Sequence, residues 1–187
     1  MMSFLKKTWD FIWNSNSVWS WILNVVLAFI LVKFILYPGF GFLLQTSHPV
    51  VAVMSGSMEH NGNFDEWWLE RGKWYEDKGF VKEEIEWGFR NGFNKGDIMV
   101  LKGVDFNEVK NGDVMVYQAN RKEPIIHRVV EIGDLYFQTK GDNNKGIIDF
   151  ERKIGVDQII GKAVFRIPLL GWVKIGFVNL INYFQGG

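Results

Sequence analysis

The N-terminal quarter of the chain is dominated by apolar residues. No charged residue stands between Val18 and Val32, and after Lys33 the apolar residues resume as far as Leu44. A helix that crosses a bilayer needs about 20 residues of this kind. The pattern therefore predicts a transmembrane anchor whose helix runs from about Val18 to Tyr37.

The flanks of this apolar run indicate where the helix ends and how it is oriented. Pro38 is expected to end or kink the helix, because proline disfavours helical backbone in the residue before it. Lys6 and Lys7 precede the run, so the positive-inside rule predicts a cytoplasmic N-terminus for the anchor region, residues 1–44. The rest of the chain is then extracytoplasmic or lumenal, at a plasma membrane or an endoplasmic reticulum membrane. A cleaved signal peptide fits less well, since the run is long and its basic flank lies far upstream.

Beyond the anchor, residues that favour β-strands recur in short runs. Turn-forming residues such as Asn111, Gly112 and Asp113 separate them. Several close strands with few helices predict a chain that is mainly β, with a compact antiparallel β-domain over residues 45–166. The runs occupy residues 50–54, 98–102, 114–118, 125–132, 135–139 and 159–167.

Residues 61–93 break this pattern with aromatic and acidic residues. Asn63 is suited to cap a helix, with Glu66 three positions later, and Trp67 and Trp68 belong to one apolar helical face. The segment is therefore predicted to be a short helical insert. Its aromatic side chains have to be buried somewhere, because an exposed apolar patch favours aggregation. Packing on the β-domain as a lid is one interpretation; membrane contact through Trp67 and Trp68 is the functional interpretation that we favour.

The last segment, residues 167–187, is apolar, with Lys174 as its only charged residue. Its polar residues fall on one side at the helical period, which favours a helix lying in the membrane interface over a second span. Pro168 is expected in the first turn of that helix. The segment is therefore predicted to be membrane-associated.

The overall composition argues against several classes of function. The 21 basic and 21 acidic residues give no net charge, so there is no electrostatic argument for nucleic-acid binding. The absence of cysteine excludes disulfides, thiolate chemistry and cysteine-ligated zinc. The three histidines lack the spacing of metal ligands, and we expect neither a metal nor another cofactor.

The most distinctive local feature is Ser55-Gly56-Ser57, directly after an apolar strand. A serine hydroxyl becomes a good nucleophile only when a neighbouring base takes its proton. Glycine beside the serine lets the backbone approach a substrate closely. The backbone N–H of Ser57 can then face a developing oxyanion, with the Ser55 hydroxyl as a second donor.

Few residues are available as the base. His48 and His60 flank the serine segment, and His127 lies in the middle of a predicted strand. A lone histidine among aliphatic residues is more often a core residue than a base. Asp142 and Asp149 are the acids that can orient such a histidine, and the residues alone do not choose between them.

Five kinds of short segment follow the anchor in a fixed order. They are Ser-Gly-Ser-Met-Glu at 55–59, Gly-Asp at 96–97 and 112–113, Ile-His-Arg-Val at 126–129, Lys-Gly-Asp-Asn-Asn at 140–144 and Ile-Gly-Lys-Ala at 160–163. This order resembles a known family, the type I signal peptidases, and specifically their archaeal and endoplasmic-reticulum branch, in which histidine occupies the place that lysine takes in bacterial enzymes. The resemblance covers most of the chain, from about residue 18 to about residue 173, apart from the insert.

The resemblance implies a membrane-bound serine endopeptidase that removes signal peptides from exported pre-proteins after small residues. It makes Ser57 the nucleophile and His127 the general base. Asp149 is expected to orient the histidine, with Asp142 in a supporting role, and Ser55 is expected to support the oxyanion. No cofactor is implied.

The resemblance also implies substrates and partners. The expected substrates are signal peptides with small residues one and three positions before the cut. An extended substrate can add to the strand at 50–54 as a further β-strand, which makes Val51 and Val53 candidate substrate-binding residues. The lipid bilayer is an expected partner, together with the secretion translocon or accessory subunits.

Two departures from the family pattern leave alternatives open. His60 stands where the family usually has proline, two residues after Met58, and the insert at 61–93 separates this segment from the first Gly-Asp strand. His60 is therefore a rival base. A Ser–Lys protease that uses Lys122 or Lys140 is another alternative, and an inactive membrane-bound binding subunit of the same fold is the third.

Overall fold

The computed structural model describes residues 2–121 and 123–185, so Lys122 lies outside the described residues. The chain divides into two compact units, one up to Leu43 and one from Leu44 onwards. The first unit is helical. Its helices are α1 (Met2–Asn14), α2 (Val18–Leu31), a π-helical segment (Val32–Leu36) and α3 (Tyr37–Leu43).

The predicted membrane-length helix is confirmed, but its predicted end is wrong. Residues Val18–Leu43 form 26 continuous helical residues, long and apolar enough to cross a membrane, and the helix passes through Pro38. Proline lacks the N–H that would bond four residues back. The wider π-turn before it, in which the Tyr37 N–H donates to the Val32 carbonyl five residues back, accommodates this loss within the helix.

Side chains of α2 satisfy the end of α1, a helix that the sequence pattern did not reveal. The Ser20 hydroxyl donates to the Phe11 carbonyl at 2.6 Å, and the Asn24 amide donates to the Ile12 carbonyl at 2.8 Å. The last carbonyls of a helix have no partner within it. These two bonds therefore fix the turn between α1 and α2.

The second unit contains a seven-stranded antiparallel sheet within the described residues, which confirms the mainly β prediction. Its order is β1-β2-β7-β3-β4-β5-β6. The strands are β1 (Val50–Ala52), β2 (Ile98–Lys102), β3 (Val114–Tyr117), β4 (Ile125–Ile132), β5 (Tyr136–Lys140), β6 (Ile154–Gly155) and β7 (Ile159–Ile167).

Both faces of the central strand β3 are buried. Val114 and Val116 belong to one apolar cluster, while Met115 and Tyr117 belong to another, as the two-residue alternation of a strand requires. The register shifts where β2 meets β7, where β3 meets β7 and where β4 meets β5. Such bulges bend and twist a sheet, so the sheet is bent at these three pairings.

The insert contains helix α4 (Phe64–Glu76) and a short 3₁₀ turn (Lys82–Glu84). The predicted cap is confirmed, since the Asn63 side chain accepts from the first-turn N–H groups and Glu66 reaches back to the Asn63 N–H. Trp67 and Trp68 are only 3% and 5% exposed, in a cluster with Val130 of β4. The expected membrane contact through these tryptophans is therefore wrong, and the insert covers the β-domain as a lid.

The C-terminal helix α5 (Trp172–Gln185) starts later than predicted. Pro168 lies in the preceding turn rather than in the first helical turn. Ile175 is 3% exposed and holds the helix to its unit, whereas Val173 and Phe177 are 74% and 63% exposed. The helix therefore presents an apolar surface that its own unit leaves uncovered.

Candidate active site

The serine segment is fixed on both sides by buried residues. Val53, before it, is 1% exposed and Met58, after it, is fully buried, and both belong to the same apolar cluster. The segment between them has no regular secondary structure. Ser57 is half-buried and its Oγ lies 3.2 Å from the Oγ of the exposed Ser55. The two hydroxyls that the sequence singled out are therefore neighbours at the surface of the β-domain.

His127 of β4 is in hydrogen-bond contact with Ser57. Its Nε2 lies 2.9 Å from Ser57 Oγ, and the histidine is 5% exposed. Three strands separate β1 from β4 in the sheet, so this contact joins segments that are distant in the strand order. The distance suits transfer of a proton from the hydroxyl to the imidazole.

A buried glutamate contacts the other nitrogen of His127. Glu151, which is fully buried, forms an ion pair through Oε1 with His127 Nδ1. Its Oε2 accepts from the Ile148 N–H at 2.7 Å. A carboxylate at Nδ1 requires the proton on that nitrogen, which leaves the lone pair of Nε2 free for the Ser57 hydroxyl. Ser57, His127 and Glu151 thus have the contacts of a catalytic triad.

The expectation that Asp149 orients His127 is wrong, because Glu151 occupies that place. The Asp149 side chain is fully exposed and its carboxylate lies 3.5 Å from Arg152 Nε. Both acids belong to one 3₁₀ turn, Asp149–Glu151. With three residues per turn, acids two positions apart point in different directions. The burial of Glu151 is a property of the folded turn, which the sequence pattern did not indicate.

Asp142 is buried in a separate ionic cluster. Its carboxylate accepts from Arg128 Nη2 at 2.7 Å and Nε at 2.9 Å, from the Tyr75 hydroxyl at 3.1 Å, and lies 3.0 Å from His60 Nε2. Burial alone would raise the pKa of Asp142, but Arg128 and His60 outweigh it and hold that pKa well below its usual range. Asp142 is therefore ionised and bound to Arg128.

His60, the rival base, belongs to this cluster and not to the serine. Its ring stacks on Trp67, with centroids 4.2 Å apart and planes 1° apart. Because Nε2 faces the Asp142 carboxylate, that nitrogen carries a proton. Nδ1 is buried and has no hydrogen-bond partner among the described residues. His60 therefore lacks the contact with Ser57 that a base needs.

The loop after β5 links the ionic cluster to the serine. The Asn143 N–H donates to the Ser57 carbonyl at 2.8 Å, and the Asn143 side-chain amide donates to the Gly56 carbonyl at 3.1 Å. A Cβ at Gly141 would lie 2.9 Å from both His127 Nε2 and the Ser57 carbonyl. Only glycine fits there, so the loop can approach the catalytic pair closely.

The candidate substrate-binding strand lies at an edge of the sheet. Strand β1 pairs only with β2 within the described sheet, which leaves its other edge for strand addition. Val51 is half-buried, but the side chain of Val53 is in the core. If Val53 contacts a substrate, it does so through its backbone.

Lys140 is buried away from the serine. Its amine donates to the Gly141 carbonyl at 3.1 Å and to the Tyr75 hydroxyl at 3.4 Å. Burial lowers the pKa of Lys140 to about 8. Ser57 has its hydrogen bond with His127 instead, which counts against the Ser–Lys alternative for this lysine. The described residues contain no group of three or more side chains arranged to hold a metal.

Comparison with known proteins places these features in a family, although no family model matches the chain. The chain is similar to the human signal peptidase complex catalytic subunit SEC11C, at 24% identity over 151 residues. That match covers 75% of this chain and 62% of the human protein, so the chain spans about three fifths of that relative's length.

Two fungal relatives give fuller matches. SEC11 of Colletotrichum graminicola is 28% identical over 175 residues, covering 87% of this chain and 82% of the relative. SEC11 of Lachancea thermotolerans is 31% identical over 156 residues, covering 76% of this chain and 73% of the relative. Both are named as catalytic subunits of the signal peptidase complex. At this identity and coverage, the chain belongs to the family of the SEC11 signal peptidase subunits.

Proposed function

We propose that this protein is a membrane-bound serine endopeptidase that removes signal peptides from exported pre-proteins after small residues. The observation that carries the proposal is the hydrogen bond of 2.9 Å between Ser57 Oγ and His127 Nε2, with Glu151 on the opposite nitrogen of the histidine. The names of the relatives, catalytic subunits of a signal peptidase complex, supply the substrate class.

The chemistry begins with proton transfer. His127 Nε2 takes the proton of Ser57 as Oγ attacks the carbonyl carbon of the scissile bond. The buried Glu151 carboxylate stabilises the imidazolium that forms. His127 then gives the proton to the leaving amine, and the acyl-enzyme on Ser57 is hydrolysed by a water molecule that the same base activates. The Ser55 hydroxyl, 3.2 Å from Ser57 Oγ, is the proposed donor to the oxyanion.

Membrane attachment accounts for access to the substrate. The helix Val18–Leu43 anchors the chain, with Lys6 and Lys7 on the cytoplasmic side and the β-domain on the opposite side. The exposed apolar residues of α5 lie in the membrane interface. A signal peptide then presents its cleavage site to the free edge of β1. Other subunits of a complex are proposed partners, since the relatives are named as subunits of one.

The test is cleavage of a pre-protein with an Ala-x-Ala site by the full chain in detergent. We expect wild-type protein to cut after the second small residue, and Ser57→Ala to lose on the order of 10⁴-fold or more of the rate. Ser55→Ala is the matched control, because it removes a neighbouring hydroxyl and is expected to cost about 10²-fold. If Ser57→Ala keeps more than a tenth of the wild-type rate, the mechanism is wrong. If wild-type protein itself cuts no pre-protein, the chain is better described as a binding subunit.

The position of the C-terminal segment has its own test. A peptide tag is added after the last residue, and protease is applied to the β-domain side of intact vesicles. Digestion of the tag is expected for a helix that lies in the interface. Full protection of the tag would instead indicate a second span.

A further inference from the structure

The insert is in contact with the elements that hold the nucleophile. We propose that residues 61–93 form a clamp on the loop after β5, and that Trp67 is a positioning residue that acts on Ser57 through Asp142 and Asn143. The catalytic consequence rests on the proposed function, whereas the clamp itself does not.

The first step of the argument is the contact between the insert and the ionic cluster. Trp67 Nε1 donates to the Asp142 carbonyl at 3.2 Å, and the Tyr75 hydroxyl donates to the Asp142 carboxylate at 3.1 Å. Arg128, fully buried, donates to the Gly88 carbonyl at 2.9 Å and to the Phe89 carbonyl at 3.2 Å. Four residues of the insert therefore contact Asp142 and Arg128. Trp67 bonds the backbone of Asp142 and Tyr75 its side chain, while Gly88 and Phe89 accept from the two terminal nitrogens of Arg128.

The second step is the contact between the ionic cluster and the nucleophile. The Asp142 N–H donates to the Met58 sulfur at 3.4 Å, and the next N–H, of Asn143, donates to the Ser57 carbonyl at 2.8 Å. On the other side, the Phe93 N–H at the end of the insert donates to the Met58 carbonyl at 3.1 Å. The backbone of the serine segment is thus held between the Asp142 loop and the insert.

The third step is the fit of His60 between the insert and Asp142. Its ring stacks on Trp67 at a centroid distance of 4.2 Å. A Cβ at Gly92 would lie 2.6 Å from His60 Cδ2, and Gly92 has a φ of +65°. Both observations require glycine at this position. A change in the position of Trp67 therefore displaces either the histidine or the loop that the histidine contacts.

The chain contains a matched control for Trp67 in the next residue. Trp67 and Trp68 are 3% and 5% exposed and belong to one aromatic cluster. Each donates one indole hydrogen bond, but Trp68 donates to Glu76 of the same helix at 2.9 Å, whereas Trp67 donates to Asp142. Phenylalanine at either position removes similar packing and one hydrogen bond. Only Trp67→Phe removes a bond to the loop that holds the nucleophile.

The experiment compares Trp67→Phe with Trp68→Phe in the full chain in detergent. Two quantities are measured: kcat and KM on the pre-protein, and hydrogen exchange of residues 141–144. We expect Trp67→Phe to lower kcat about tenfold with little change in KM, because a hydrogen bond of about 1.4 kcal/mol corresponds to that factor. We also expect faster exchange of the Asn143 amide. Trp68→Phe should stay within about twofold of wild type in both measurements.

Equal effects of the two substitutions on kcat and on exchange would overturn the proposal, since both tryptophans would then act only through packing. An unchanged Trp67→Phe protein would overturn it as well. If wild-type protein fails to cleave any pre-protein, the proposed function fails, but the exchange comparison still decides whether the clamp exists. Should Trp67→Phe fail to fold, Tyr75→Phe removes the hydroxyl through which the insert donates to the Asp142 carboxylate, and it is judged by the same exchange measurement.

Discussion

The β-domain contains two buried histidine–carboxylate pairs, His127 with Glu151 and His60 with Asp142. In the first pair, the second imidazole nitrogen is 2.9 Å from Ser57 Oγ. In the second, the other nitrogen is buried and has no hydrogen-bond partner among the described residues. A histidine beside an acid is therefore not sufficient for a base; its second nitrogen has to face the nucleophile.

The two carboxylates differ as much as the two histidines. Asp142 is bound by Arg128 through two guanidinium nitrogens, so its charge is already compensated when His60 is neutral. No lysine or arginine in the described part of the chain forms an ion pair with Glu151, whose ion pair is with His127. The two acids therefore differ in their partners: Asp142 has Arg128 as well as His60, whereas the ion pair of Glu151 is with His127.

Replacement of each histidine by alanine is the strongest test of the difference between the two pairs. We expect His127→Ala to lower kcat by on the order of 10⁴-fold, as for loss of a base that works as a unit with its nucleophile. His60→Ala should keep a rate within about tenfold of wild type, since it does not contact Ser57. Initial rates on the pre-protein measure both. The reverse ranking would transfer the role of base to His60.

Replacement of the orienting acid should have the next largest effect. Glu151→Gln keeps the size of the side chain but removes the charge that fixes the His127 tautomer, so we expect a loss of about 10³- to 10⁴-fold in kcat. Asp149→Asn is the matched control on the same turn, and its exposed side chain predicts a wild-type rate. A large loss in Asp149→Asn with a wild-type rate in Glu151→Gln would return the role to Asp149.

Asp142→Asn should act mainly on stability. The substitution leaves the buried Arg128 without its counter-charge, which costs about 3–5 kcal/mol of unfolding free energy. Thermal or denaturant unfolding of the full chain in detergent, followed by tryptophan fluorescence, measures this change. Asn143→Ala is a useful contrast, because it removes a neighbouring polar side chain without leaving a charge unpaired. A difference below about 1 kcal/mol between the two variants would contradict the prediction.

The smallest expected effect is that of Lys140 on stability, which should depend on pH. Burial lowers the pKa of Lys140 from 10.5 to about 8 in the folded chain. Between these pH values the unfolded chain binds more protons, so the contribution of Lys140 to stability rises with pH across the window and is lowest below pH 8. The rise is at most about 3 to 4 kcal/mol, at about 1.4 kcal/mol per pKa unit. Relative to Lys140→Met, wild-type protein should therefore gain melting temperature from pH 7 to pH 10; a constant difference would contradict this.

The order of segments along the chain was enough to predict the β-domain and to nominate Ser57 and His127. It did not identify Glu151, because the direction of a side chain on a single 3₁₀ turn depends on the packing around that turn. The same limit applies to Trp67, because a tryptophan side chain suits a membrane interface as well as a protein core. The passage of the helix through Pro38 also escaped prediction, since it depends on the hydrogen bonds of the preceding π-turn.

The separation of Ser57 and His127 along the chain has a consequence for the incompletely folded protein. Ser57 and His127 are 70 residues apart in sequence; Ser57 follows β1 and His127 lies on β4, and three strands separate β1 from β4 in the sheet. A chain in which β2, β7 and β3 have not yet paired lacks the sheet that holds Ser57 next to His127. Under the proposed function, cleavage therefore requires the finished tertiary structure, because a partly folded chain lacks the contact between Ser57 Oγ and His127 Nε2.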